Sequence, residues 1–450
     1  MAPTCTIDES LRGAATAFSG PNLEEVADIR SRHLPPSLFH YYERPLMLVE
    51  GRGCELFDHE GRRYLDCFGG IVTVSVGHCH PKVVAAGIAQ MQRLQHASTI
   101  YFHPVIGRYA EALAARFPDP LDTVFFLNSG SEANDLAMLM ARAHSGNYDV
   151  IALQNGYHGG SQATMALSSF HTWKYKVPHQ HGVIHAPAPY PYRSILGEAD
   201  RNRGEAHAAL IANLIDYGSS GEIAAFFAES IQGMGGAVPL PDGYLKAAYA
   251  TVRAAGGLCV ADEVQSGWGR SGEAFWAFET QGVVPDIVTL AKGIGNGVPL
   301  AAVVTTREIA GSLAARHHFN TFGGNPVSCA QGLAVLDVIE EEGLQANAAR
   351  RGERLIGALR KLFEDHPQVG EVRGLGLMIG IEFVRDRSGK VPDSAAAAAF
   401  HEALREAGVL VGRGGLAGNS LRITPPLSIG EEQTEEVIAA FEASASRLGR

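Results

Sequence analysis

No run of apolar residues in this 450-residue chain approaches the roughly 18 needed to span a membrane. Positive charge is in deficit: 37 lysines and arginines against 48 aspartates and glutamates leave a net charge of -11. That balance gives no electrostatic support for binding nucleic acid or an anionic membrane. Cysteine is scarce, six in all, and none forms a CxxC pair. A chain of this size does not rest on a disulfide scaffold, so a reducing compartment is expected. Residues 1–9 carry neither basic charge nor an apolar core, which argues against a secretory signal, and Arg12 is the sole basic residue before Arg30. A cytoplasmic location is therefore expected over the mitochondrial matrix. Gly77–Pro81 contains His78, Cys79 and His80, but no second ligand pair at zinc spacing follows, so no metal is expected. Gly374–Gly380 is rich in glycine without the G-x-G-x-x-G order, and no G-K-[ST] follows the turn at 128–134, so neither a dinucleotide turn nor a nucleotide P-loop is signalled.

What the chain does have is the composition of a soluble globular enzyme, 46% hydrophobic and 19% charged. Its length exceeds one ordinary hydrophobic core, so more than one domain is expected. Residues 1–30 read as a loose arm. Residues 31–80 contain a small meander with turns at Gly51 and Gly61 and are expected to join a smaller domain. Over 81–330, helical patterns alternate with short apolar runs at 123–127, 150–153, 223–228, 258–261 and 287–290. Such runs, bounded by turn residues, read as strands buried on both faces. The alternation predicts an α/β fold with a mostly parallel sheet. After 330 a helix-rich stretch leads into strand-like 372–383, a helix at 394–407, short strands at 409–411 and 421–423, and a closing helix, the pattern of a smaller α+β domain.

The candidate chemistry clusters where these strands end. In open α/β sheets, ligands bind beyond the carboxyl ends of the strands. Asp262 ends one apolar run, and Lys292 follows another and precedes the glycine-rich Gly293–Gly297. An acid and an amine at one edge suit pyridoxal phosphate (PLP), where a lysine carries the cofactor and a carboxylate partners its pyridine nitrogen. Ser129 and Glu132 have capping-box spacing in Asn128–Asn134, so this turn is either a phosphate site at a helix N-terminus or an ordinary helix cap. Tyr157 and His158 lie in Gly156–Gly160, placed to stack on a flat ring and line a site, or to fill a buried turn. Glu229 ends another strand and either meets an arginine or is a solvated turn residue. Gln265 is placed to bond a phenolic oxygen. Thr321, in Asn320–Pro326, offers a hydroxyl to a phosphate or belongs to a plain linker. Arg422 sits among apolar neighbours, and a buried arginine needs an anion: a substrate carboxylate or a structural partner.

Together these segments resemble the class III aminotransferases, PLP enzymes of fold type I, over about residues 34–445. The likeness rests on Gly70–Lys82, Asn128–Ser145, Pro285–Gly297, His318–Pro326 and Val411–Gly414. It implies a large domain with a mostly parallel sheet and a smaller α+β domain. Lys292 is implied as the Schiff-base lysine, Asp262 as the pyridine-nitrogen partner and Gln265 as the residue at the ring oxygen. Tyr157 would stack on the ring beside His158, and Ser129, Gly130 and Ser131 would bind the phosphate. Thr321 would reach the phosphate of a neighbouring subunit in a homodimer or tetramer. Arg422 would take the substrate carboxylate, Glu229 could shield that arginine when an amine without an α-carboxylate binds, and Ile71 and Val72 would border the substrate. The implied substrates are an amino acid or ω-amino acid donor such as alanine and a keto-acid acceptor such as glyoxylate or pyruvate. Alternatives are a PLP lyase acting on a phosphorylated amino alcohol and a nicotinamide-dependent oxidoreductase. Ser230 stands where relatives often have proline, Trp268 where phenylalanine is usual, and Ile71 where a related decarboxylase has glutamine.

Overall fold

The computed structural model describes residues 18–448. Its centre is a seven-stranded sheet in the spatial order Thr123–Leu127, Ala301–Thr305, Ile287–Leu290, Leu258–Asp262, Ala225–Ala228, Val150–Leu153, Val183–Ala186. Only Ala301–Thr305 runs against the rest; it is antiparallel to both of its neighbours. The other six strands share one direction, so their carboxyl ends lie along one edge. The inner strands are buried along their whole length because helices cover both faces. The apolar-run pattern anticipates five of the seven. Val183–Ala186 contains a histidine and is only partly buried, and the alanine-rich start of Ala301–Thr305 carries no strong β signal.

Helix Gly130–Ser145 crosses the sheet with Ala133, Asn134, Ala137, Met140 and Ala141 buried, the three-to-four spacing of one inward face. It stops at Gly146, whose φ of 73° suits a left-handed cap. The helix Pro326–Glu341 runs unbroken through position 330, where the change of character was expected; the chain turns instead at Gly343, with φ 60°. The arm expected over residues 1–30 contains a capped helix, Leu23–His33, with no buried residue; residues 1–17, including Cys5 and Arg12, lie outside the described structure.

The meander Leu48–Arg52, Glu55–Asp58, Arg63–Asp66 pairs with Val409–Leu410 from near the other end of the chain, Leu65 opposite Val409. A further antiparallel sheet holds Val369–Leu375, Met378–Phe383, Ser420–Ile423 and Gly412–Gly414. The strand expected over 372–383 is therefore a hairpin, reversed at Gly376, where φ is 56°. The same hairpin disposes of the glycine-rich 374–380 as a dinucleotide turn. Among the described residues no helix is long and apolar enough to cross a membrane.

One close approach ties this second region together. Gly352, inside helix Leu344–Leu362, lies against the backbone of the Gly376 turn, and a Cβ there would run into the Gly376 carbonyl. Gly352→Ala should force the helix off the hairpin and destabilise the fold by about 1–3 kcal/mol. A lower apparent Tm in scanning calorimetry, with secondary structure retained, is the expected result.

Candidate active site

Asp262 closes its strand at the ligand-binding edge with 3% of its surface exposed. A buried carboxylate must be supplied with donors. Asp262 Oδ2 accepts from Asn134 Nδ2 (2.9 Å) and His158 Nδ1 (2.7 Å), and Oδ1 accepts from the Val264 amide (3.1 Å). Asn134 is itself held: it donates to the His158 carbonyl at 2.8 Å and accepts from Thr289 Oγ1 at 2.8 Å. Thr289 is the register partner of Asp262 on the adjacent strand. Burial opposes a charged imidazole at His158, yet the hydrogen bond and charge of Asp262, aided by Glu229, raise its pKa above the ordinary value.

Lys292 begins a short 3-10 turn directly after Ile287–Leu290 and adopts φ 51°, a left-handed conformation uncommon outside glycine. The turn is pinned from the N-terminal segment. Ser75 Oγ donates to the Gly293 carbonyl (2.9 Å), and Asn296 bonds both the Val76 amide (2.9 Å) and the Gly77 carbonyl (2.8 Å). Among the described residues the Lys292 amine has no hydrogen-bond partner. Burial lowers its pKa to about 8; Asp262 and Glu229 oppose this and Arg422 adds to it. A neutral amine is thus accessible near physiological pH, which suits a nucleophile and proton carrier.

The turn expected to cradle a phosphate lies at the start of Gly130–Ser145. Ser129 Oγ accepts from the Glu132 amide (3.2 Å), whereas the Glu132 carboxylate reaches past Ser129 to the Asn128 amide (2.8 Å). The capping box is therefore made on one side only. The first amides of a helix have no partner within it, and the dipole there favours an anion. Gly130 sits tightly on the cavity wall: a Cβ would lie 3.3 Å from Val264 and 3.6 Å from Ala291. Ser131 Oγ accepts from the Gly160 amide (3.1 Å), which joins the cradle to the Tyr157–His158 turn.

Arg422 is buried, with 2% exposed, and forms no ion pair among the described residues. Its Nη1 donates to Gln265 Oε1 (3.2 Å), its Cζ lies 5.1 Å from the Phe68 ring centre, and its Nε has no partner. Burial lowers its pKa, with Tyr41 and Glu229 opposing. Glu229 does not cover it. One Glu229 oxygen accepts from the Tyr157 amide and the other from the Gly233 amide, each at 2.9 Å. Burial, reinforced by Asp262 against the pull of His158 and the two amides, raises the Glu229 carboxyl to about 7.

Eight expected residues line one cavity: Ser129, Gly130, Ser131, Tyr157, His158, Asp262, Gln265 and Lys292. Three do not. Thr321 is exposed and away from it. Ile71 and Val72 lie in a left-handed turn, φ 66° and 62°, that leaves Ile71 46% exposed and turns Val72 into the interior. Trp268, expected to alter the lining, packs beneath the Lys292 turn against Trp276, and a Cβ on Gly293 would meet it at 2.9 Å. Ser230 donates to buried Glu263 (2.9 Å), which also accepts from Ser266 and from the Ala277 and Phe278 amides. Sequence reading missed Asn134 as a site residue. It stands four residues after Gly130, so helical periodicity places it on the same face. His78 and His80 are engaged by Asp66 and Glu342. An unpartnered amine, a donor-ringed carboxylate and a glycine-bearing helix N-terminus around one cavity fit PLP.

A family model described as aminotransferase class-III matches residues 40–444. The chain belongs to the class III aminotransferases. It is 50% identical over 431 residues to alanine–glyoxylate aminotransferase 2 homolog 2, mitochondrial, of Arabidopsis thaliana, covering 96% of this chain and 89% of that protein. It is 46% identical over 442 residues to the human alanine–glyoxylate aminotransferase 2, mitochondrial, covering 94% and 86%. A solved (S)-enantioselective omega-transaminase from Thermomicrobium roseum superposes with a TM-score of 0.89 at 34% identity, covering 96% of this chain and all of that one. This class III aminotransferase is accordingly a PLP-dependent enzyme that transfers amino groups between small amine and keto-acid substrates, and the lyase and oxidoreductase alternatives are not favoured. The cytoplasmic expectation is overturned, since the plant and human relatives are both named mitochondrial; the sparse basic charge of residues 1–30 does not decide location.

Asn134→Ala would remove one of the two side-chain donors to Asp262 and orphan the Thr289 hydroxyl. Cofactor retention on dialysis should weaken about tenfold or more, with the thermal transition of the cofactor-free protein far less affected.

Proposed function

We propose that this enzyme takes the amino group from an α-amino acid such as alanine and passes it to glyoxylate or pyruvate. The observation that carries the reading is Arg422: a buried guanidinium with no ion pair among the described residues, both oxygens of nearby Glu229 being held by backbone amides. An uncompensated buried cation is costly, and a substrate carboxylate held bidentate would relieve that cost. The relatives named for alanine and glyoxylate support the same donor and acceptor.

The bound cofactor supplies the electron sink for the carbanion formed at the substrate carbon. Lys292 would hold it covalently and, once released, its Nζ would take the proton from the substrate carbon and deliver it to the carbon on the far side of the linking nitrogen. Asp262, steadied by Asn134 and His158, would keep a positive charge on the ring nitrogen. Gln265 would meet the ring oxygen, Tyr157 would cover the ring, and the cradle at Ser129, Gly130 and Ser131 would take the phosphate. His158 would act through Asp262 rather than on substrate. A homodimer with shared sites, or a pair of such dimers, is part of the proposal, with Thr321 reaching the partner's phosphate. Exposed Thr321, beside Phe319 and Phe322 that are more than half exposed, supports it, since apolar surface of this kind marks interfaces. Ile71, 46% exposed, would border the substrate from that interface, with Val72 buried behind it.

Lys292→Ala should abolish transamination, and the visible band of the purified enzyme should no longer bleach with L-alanine. Wild-type turnover in that variant would refute the assignment. Because the amine titrates near 8 rather than near 10.5, capture of added PLP by cofactor-free protein should accelerate as pH rises through about 8 and then level off. Below that pH the amine is protonated and not nucleophilic. A rate still climbing past pH 9.5 would show an ordinary lysine. Arg422→Ala should raise KM for alanine between about tenfold and a hundredfold, and should leave amines without a carboxylate little changed.

A further inference from the structure

A second cavity of about 630 Å³ opens beside the first, between residues 37–41, the turn at 172–175 and the loop 413–418. Its lining touches residues of the catalytic site, although the two cavities have no lining residue in common. Trp173 meets Tyr157 edge-on at 5.4 Å, and Tyr41 meets Phe68 at 5.8 Å, the ring over which Arg422 lies. Gly414, on its rim, is so close to Arg422 that a Cβ there would stand 3.0 Å from the arginine Cδ. Its charge is unusual for this chain. Among the described residues no aspartate or glutamate lines it, although the protein as a whole carries 48 acidic residues and a net charge of -11. Lys174, Arg413 and His40 do line it.

Arg413 and His40 are partly committed, Arg413 Nη2 to the Gly418 carbonyl (3.1 Å) and His40 Nδ1 to the Tyr42 carbonyl (2.7 Å). The Lys174 ammonium has no hydrogen bond or ion pair among the described residues, and burial lowers its pKa. A half-buried cation without an anion, set among the aromatic faces of Phe39, Tyr41 and Trp173, is the arrangement that recognises a carboxylate at the end of an aliphatic chain.

We propose that Lys174, with Arg413 behind it, forms a distal-anion subsite that selects amino donors bearing a second carboxylate, while Arg422 holds the first. The subsite rests on the transamination reading above. It makes Lys174 a specificity-determining residue of that reaction, and the methylenes between the two carboxylates lie along the aromatic wall.

The test follows the cofactor absorbance of the purified holoenzyme in the donor half-reaction. Wild type, Lys174→Ala and Lys174→Arg are compared with L-alanine, L-glutamate and L-2-aminoadipate. In wild type the dicarboxylic donors should react. In Lys174→Ala the ratio of their kcat/KM to that of alanine should fall about tenfold or more, the scale of one lost charge-assisted hydrogen bond, chiefly through KM. Lys174→Arg should keep most of the ratio. An unchanged ratio in Lys174→Ala, an equal fall with all three donors, or a wild-type enzyme that answers to alanine but to neither dicarboxylate overturns the subsite and leaves the transamination reading standing. A cofactor band that answers to no donor overturns that reading and the subsite with it.

Discussion

The structure turns on one buried carboxylate. Asp262 has almost no contact with water, and desolvating such a group is costly unless donors replace the solvent. The replacements come from four places: Asn134 on the phosphate-cradle helix, His158 in the turn after Val150–Leu153, the Val264 amide just beyond the strand, and Thr289 acting through Asn134 from the neighbouring strand. Each donor is useful only if its element is in register with the others. The carboxylate therefore links the helix, two strands and a turn into one rigid seat, and the geometry of the cofactor pocket follows from it.

A second constraint is strain held in place by surplus contacts. Lys292 is left-handed, and so are the four successive residues Gly69–Val72, two of them β-branched. An L-residue in that conformation costs about 1–2 kcal/mol. It persists only where the surroundings over-determine it. The supports are visible. Asp66 accepts from the Phe68 and Gly69 amides, Thr424 donates to the Cys67 and Phe68 carbonyls, and Ser75 and Asn296 stitch this segment to the Lys292 turn. Through the Leu65–Val409 pairing, the N-terminal meander also brings Phe68 beneath Arg422. Residues as far apart in the chain as Leu65 and Val409, or Phe68 and Arg422, thus meet because two distant segments share one sheet.

Much of this was legible in the chain. The short apolar runs marked five of the seven central strands, since strands covered on both faces need continuous apolar sequence. Strand ends then located Asp262, Glu229 and Lys292, and glycine turns located the cradle. Legibility failed where the local signal was weak or where the partner was remote. Ala301–Thr305 has no local mark of its reversed direction. Asn134 stood at the end of the cradle motif with no role of its own. Val372–Phe383 read as one strand because its turn, at Gly376-Leu377, interrupts neither hydrophobicity nor β propensity.

Periodicity, turn chemistry and the type of residue at each strand end are local properties, so the sequence alone determined the α/β class, the ligand-binding edge and the pairing of an acid with an amine there. Which side chains then touch is decided by long-range packing. Only the tertiary structure showed that Glu229 spends both oxygens on backbone amides, that Arg422 has no ion pair among the described residues, that Trp268 supports the lysine turn from below, and that Ile71 and Thr321 are not on the lining of the Lys292 cavity. Hydrogen-bond partners separated by a hundred or more residues have no trace in local sequence, and it is they that turn a set of candidate residues into a site.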